Sequence, residues 1–139
     1  MTEDDRAMSE NPPVGPANAA EEAPSLDALT ARLVAFRDAR DWRQFHSLKD
    51  LILSLNLEAA ELLELTQWKS EAQFDQEAEG EGMRARLAEE CADVFLYLLM
   101  IAERTGIDLP AAAAAKIARN EAKYPVDKSF GNARKYSAL

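Results

Sequence analysis

The sequence is poor in the residues that commonly build metal, redox and nucleic-acid sites. Its 139 residues include one cysteine, one histidine and five glycines. A single cysteine excludes an internal disulfide. Cys91 stands within the apolar run Cys91–Ala102, where a reduced, buried thiol in a reducing compartment is expected. The lone histidine, His46, excludes a di-iron bundle, which needs two Glu-x-x-His pairs. The longest unbroken apolar stretch, Val94–Ala102, falls short of the roughly 20 residues that span a bilayer, so no membrane partner is expected. Basic residues number 16 against 25 acids, a net charge of −9. That balance argues against a nucleic-acid polymer as partner, because such binding is driven by basic side chains that displace phosphate counterions. The acidic start Met1–Arg6, followed by prolines, has neither the basic nor the apolar region of a secretory signal, and the cytoplasm is the expected location.

Length and apolar content suit one core. Residues 1–24 hold four of the six prolines and six acids with almost no large apolar side chains, which predicts a disordered leader. The domain is expected over 25–139. Leu26, Leu29, Leu33 and Phe36 recur at helical spacing behind Ser25, predicting a first helix over 25–39. Ser47 with Asp50 three residues on predicts the start of a second, running to Trp68. The stretch 70–82 lacks a clean apolar period and reads as a long acidic loop, with some helix as the alternative. A third helix follows from about Gly82 to Gly106, a residue suited to the left-handed position past a helix end. Pro110 behind Asp108 opens a fourth, which must stop before Pro125. The fold class is therefore all-α, a four-helix bundle. Phe95, Tyr97, Leu99 and Met100 spread around the third helix and predict burial of the excess apolar face against another subunit, the alternative being a monomer in which the 70–82 loop covers it.

The acids are ordered. Glu58 and Glu61 on the second helix, and Glu90 and Asp93 on the third, are each three residues apart and therefore share a face. At about 100° per residue, Glu58 falls among Leu51, Leu62 and Leu65, and Glu90 among Val94, Tyr97 and Ile101. Glu61 and Asp93 sit at the stripe margins, while Glu89 projects towards a flank. Inward carboxylates repel one another and lose hydration, at a cost of several kcal/mol per buried ion unless a cation or a proton compensates. Four oxygen donors without nearby sulfur or imidazole favour Mg²⁺, with Mn²⁺ as the alternative. Between Lys116 and Lys135, six basic side chains (with Arg119, Lys123, Lys128 and Arg134) stand against only Glu121 and Asp127, a basic segment that suits either a small polyphosphate or a helix end and tail complementing the macrodipole and acidic neighbours.

Arg40-Asp-Trp-Arg-Gln-Phe-His46, Glu58-x-x-Glu61, Gln67-Trp-Lys-Ser70, Glu89-Glu-x-x-Asp93 with Tyr97, Asp108-Leu-Pro110 and Lys123-Tyr-Pro125 together resemble the dCTP pyrophosphatase branch of the MazG-like, all-α nucleoside-triphosphate pyrophosphohydrolases. The resemblance covers roughly Ser25 to Leu139. It implies a MazG-like bundle assembling as a homotetramer, or at least a dimer, with Glu58, Glu61, Glu90 and Asp93 as Mg²⁺ ligands and Glu61 as the candidate general base. It also implies that Trp42, Arg43, Gln44, Phe45, His46, Trp68 and Tyr97 contact the substrate, with Asn120, Lys123 and Tyr124 around phosphates or base. Leu33 is a departure, because animal members carry a histidine there. The implied reaction converts a (d)NTP and water to the (d)NMP and diphosphate, with dCTP or modified dCTP as substrate. Two other readings stand beside it: a dUTP or broad noncanonical NTP pyrophosphatase, and a non-catalytic helical interaction module.

Overall fold

The computed structural model describes residues 23–138; the leader expected over residues 1–24 lies outside them except for Ala23 and Pro24. Six α-helices and two 3-10 turns make up the described chain: α1 (Leu26–Asp38), a turn at Trp42–Phe45, α2 (Leu48–Glu64), α3 (Glu71–Ala78), α4 (Glu81–Thr105), α5 (Leu109–Lys123), α6 (Val126–Ser129) and a turn at Tyr136–Ala138. No strand occurs among the described residues.

Local chemistry sets most of the helix ends. Ser25 Oγ accepts from the Ala28 amide at 3.2 Å, and Asp108 Oδ1 accepts from the Ala111 amide at 3.0 Å, each satisfying a first-turn donor. Ser47 Oγ accepts from the Asp50 amide at 3.1 Å and donates to Asp50 Oδ2 at 2.7 Å. Gly106 closes α4 at φ 68°, a conformation that costs glycine little. Helix α2 ends at Glu64, four residues short of the expected Trp68, where Thr66 Oγ1 donates to the Leu63 carbonyl at 2.7 Å. The expected acidic loop over 70–82 is instead largely α3. Its start is a capping box: Ser70 Oγ accepts from the Gln73 amide at 3.3 Å, and Gln73 Oε1 accepts from the Ser70 amide at 2.9 Å. Two reciprocal bonds at the first turn compensate for a weak apolar stripe.

The centre of the fold is the pair α2 and α4. The two run antiparallel: Leu48 shares one cavity with Glu103, Arg104 and Thr105, whereas ten residues further along α2, Glu58 lies beside Glu90 and Asp93. Leu51, Leu65, Leu99, Met100 and Ala102 are buried, the larger side chains each contributing about 1.5–3 kcal/mol. Helix α1 crosses the C-terminal end of α4, and α3 lies against α4. The α1 crossing is fixed by Arg37, only 5% exposed, whose Nη1 donates to Glu103 Oε2 at 3.1 Å and whose Nε donates to Asp38 Oδ1 at 2.8 Å. Both carboxylates hold the guanidinium charged, above its ordinary pKa despite its burial.

A further sequence expectation is corrected. Cys91 is exposed. It shares a stripe of α4 with Leu87, Leu98 and Ala102, but α1 covers that stripe only at the C-terminal end. Leu99 and Met100 are buried within the protomer and Tyr97 is half-buried, so of the four side chains expected on the free face of α4 only Phe95 is exposed; further exposed apolar side chains include Leu98 on α4, Ile52, Leu53, Leu57 and Leu63 on α2, Ile117 on α5, and Val126 and Phe130 beyond it. Leu99→Ala is predicted to lower stability by about 2–5 kcal/mol in urea unfolding. Cys91→Ala should change it by less than about 0.5 kcal/mol.

Candidate active site

Glu58 on α2 and Glu90 and Asp93 on α4 each bring a carboxylate oxygen to within 4.8 Å of the other two. All three are half-buried, whereas Glu61 and Glu89 are exposed; of the two acids expected at the stripe margins, Asp93 joins the trio and Glu61 does not. Glu61 stands outside the tight trio yet close enough for its charge to act on both Glu58 and Glu90.

None of these acids forms a salt bridge with a basic side chain among the described residues. Glu90 Oε2 is buried and accepts no hydrogen bond. An orphaned buried oxygen of this kind costs free energy unless something fills its lone pairs. Desolvation, then repulsion from Glu61, Asp93 and Glu90, raises the Glu58 pKa above its ordinary value. Glu90 is raised by desolvation and by Glu61, Asp93 and Glu89, with Arg86 offsetting only part of this. Three hard oxygen donors, one of them unpartnered, fit a small divalent cation such as Mg²⁺ or Mn²⁺.

The aromatic residues are differently placed. Trp42 packs edge-on against Phe36, with centroids 5.7 Å apart, and the Arg40 guanidinium lies 3.7 Å from the Phe36 centroid. Asp41 before it takes a left-handed φ of 54°. Gln44 Nε2 donates to Asp41 Oδ2 at 2.7 Å and to the Asp41 carbonyl at 3.1 Å, which ties down the turn. Phe45 is largely exposed, and Arg43 lines a cavity of about 440 Å³ with Arg37, Leu48, Glu103, Arg104 and Thr105. Burial, with a further contribution from the Arg37 charge, pushes the His46 imidazole below its ordinary pKa, and its Nδ1 is buried without a partner.

Trp68 stands at the other end of α2, 99% exposed and with φ 62°. A non-glycine residue at positive φ carries backbone strain that the surroundings must hold in place. The 17 residues of α2 span about 25 Å. One protomer therefore does not bring Trp42 and Trp68 together. Tyr97 is half-buried on α4, one turn beyond Asp93. Asn120 is exposed on α5, and its carbonyl accepts from the Tyr124 amide at 2.8 Å. Sequence reasoning missed Arg37, whose four-residue spacing from Leu33 along the α1 stripe is a legible signal. It also missed Tyr136, whose ring meets Lys123 and Tyr124.

Comparison with known proteins gives this helical protomer, with carboxylates converging across an antiparallel seam, its class: the helical nucleotide diphosphohydrolases. Residues 53–139 match the MazG-like family, and the chain belongs to that family. It is 42% identical to dCTP pyrophosphatase 1 of Rattus norvegicus over 116 residues, covering 84% of this chain and 68% of the relative. The Homo sapiens dCTP pyrophosphatase 1 is 37% identical over the same length, with the same coverage. The crystal structure of a pyrophosphatase from Archaeoglobus fulgidus superposes with a TM-score of 0.68 at 34% identity, over 78% of this chain and 99% of that one.

The raised carboxyls make a pH prediction for the metal-free protein. The folded state binds protons at Glu58 and Glu90 more tightly than an unfolded chain with the ordinary value of 4.5. Their contribution to stability is therefore lost as pH rises from about 4.5 through the raised folded-state values. Glu58→Gln, neutral at every pH, should melt higher than wild type at pH 7 in EDTA, and the gap should shrink towards pH 5. A gap independent of pH would contradict the assignment.

Proposed function

We propose that the protein hydrolyses dCTP or modified dCTP to the nucleoside monophosphate and diphosphate, using Mg²⁺ held by Glu58, Glu90 and Asp93 with Glu61 beside them. The observation that carries this reading is the trio of carboxylates within 4.8 Å, one oxygen of which is buried and unpartnered. The relatives named dCTP pyrophosphatase 1 support the choice of substrate. The bound ion supplies the positive charge that a triphosphate needs to approach four acids.

Glu61, exposed at the rim, is assigned the role of general base. A water oxygen forms a bond to the α-phosphorus, the bond from that phosphorus to the bridging oxygen breaks, diphosphate leaves, and the water proton passes to the Glu61 carboxylate. Position and charge stabilisation account for the remainder of the catalysis. Trp42 and Trp68 present aromatic faces suited to stacking on a base. Because one protomer separates them by the length of α2, a pocket using both needs a second copy. The exposed Leu53, Leu57 and Leu63 of α2 supply apolar surface for a homo-oligomer, a tetramer in preference to a dimer. No helix among the described residues is long and apolar enough to cross a membrane, and the cytoplasm is the proposed location.

Diphosphate release measured with dCTP, 5-modified dCTP, dTTP and dUTP, with and without Mg²⁺, tests the reading. Glu58→Ala and Asp93→Ala should abolish turnover while circular dichroism stays helical, and Glu89→Ala should retain it. Equal loss in Glu89→Ala would contradict the site. Trp68→Ala should raise KM by about one order of magnitude or more, since stacking on a base is worth about 1–3 kcal/mol. Leu33, half-buried on α1, offers no hydrogen bond, so discrimination among pyrimidines should be weak and Leu33→His should sharpen it towards dCTP. A wild type already strict for dCTP, unaffected by Leu33→His, would overturn that account of the pocket.

A further inference from the structure

Beyond α5 the chain doubles back on itself. Pro125 ends the helix after Lys123 and Tyr124, and the short α6 follows at Val126–Ser129. Gly131, at φ 72°, permits the reversal. Asn132 then fastens it from both sides of its amide: Nδ2 donates to the Lys128 carbonyl at 3.0 Å, and Oδ1 accepts from the Arg134 amide at 3.2 Å. The turn at Tyr136–Ala138 brings the Tyr136 ring home. Its centroid lies 4.8 Å from Lys123 Nζ and 6.1 Å from the Tyr124 centroid, with the two rings crossed at 87°.

We propose that Tyr136 is a positioning residue that holds the Lys123 ammonium and the Tyr124 ring ready for the substrate phosphates. The inference rests on the reading of Lys123 and Tyr124 as substrate contacts. A lysine on a helix end samples many rotamers, and fixing it in advance lowers the ordering cost of binding. The chemistry of the partner matters. Lys123 forms no ion pair among the described residues, so no carboxylate competes with phosphate for its charge. An aromatic face attracts the cation through its quadrupole while carrying no net charge, which leaves the full positive charge to the ligand. Tyr124 gains a second constraint from the same ring, since crossed aromatic pairs have a preferred geometry.

The test compares Tyr136→Phe, Tyr136→Leu, Lys123→Ala and the Lys123→Ala/Tyr136→Leu double variant in full-length protein, with Mg²⁺ and dCTP. Tyr136→Leu, which keeps bulk but loses the ring, should raise KM about two- to fivefold, the size expected of an exposed cation–π contact, with kcat within twofold. Tyr136→Phe should restore the wild-type KM. Lys123→Ala should raise KM, and adding Tyr136→Leu to it should raise KM by less than Tyr136→Leu does in the wild type, the remainder acting through Tyr124. Equal effects of Tyr136→Leu in the wild-type and Lys123→Ala backgrounds, or no effect in either, would overturn the proposal. An unchanged KM for Lys123→Ala would instead overturn the reading of Lys123 on which it rests. The Lys123 ε-methylene resonance gives a second measure in the substrate-free enzyme. Ring current should shift it upfield in wild type and Tyr136→Phe and release it in Tyr136→Leu; an unshifted wild-type resonance would equally refute the positioning role.

Discussion

Repulsion between carboxylates set into a leucine seam is the constraint on which the rest of the structure turns. Helices α2 and α4 need each other to bury Leu51, Leu65, Leu99 and Met100, yet the same apposition drives Glu58 towards Glu90 and Asp93. Antiparallel packing fixes both at once, because sliding one helix to separate the acids would also unseat the leucines. The hydrophobic contribution of the seam thus holds in place an arrangement that electrostatics alone would disperse. A cation at such a site would relieve that repulsion, and its binding and the stability of the fold would then be linked by mass action.

Helix boundaries were legible because their causes are local. Ser25, Ser47, Asp108, Pro110 and Gly106 act within one turn of themselves, and each stands where its chemistry indicates. The inward aim of Glu58 and Glu90 was legible for a similar reason, since angular position on a helix follows from residue spacing. Helix α3 was obscured by its polarity, although Ser70 and Gln73 carry a readable capping box. Cys91 shows where such reasoning stops. Its stripe is apolar, but which partner helix extends far enough to cover it is decided by the crossing of α1, a tertiary fact. The left-handed backbone at Asp41 had only the weak signal that aspartate tolerates this region better than most residues, and that at Trp68 had none.

The protomer leaves much apolar surface in water. Among the described residues, Trp68, Phe130 and Val126 are the most exposed large hydrophobic side chains, and α5 has no extensive packing against any other helix. Single exposed apolar residues need no explanation, but a strained, fully exposed tryptophan beside the α2 seam, together with leucines on one α2 face, is costly to maintain. The proposed oligomer removes that cost and supplies the second aromatic wall in one step, so that assembly and substrate recognition would draw on the same surface.

Buried charge is treated in two opposite ways along the same pair of helices. At one end of the α2/α4 seam, Arg37 is nearly inaccessible, yet Asp38 and Glu103 answer its charge with bonds of 2.8 and 3.1 Å. That end is self-sufficient and secures the α1 crossing. About 15 Å along the helices, Glu58, Glu90 and Asp93 meet with no basic side chain paired to them, and Glu90 Oε2 is left without a donor. Had an arginine stood on α2 opposite Glu90, the seam would have been more comfortable and the cluster closed to any cation. A fold able to neutralise a buried ion at one level and leaving three acids unanswered at the next marks the unanswered level as the place for an external charge. The same logic extends to Lys123, whose ammonium rests on a neutral ring and not on a carboxylate: both the acids and the base are held in position with their charge unspent.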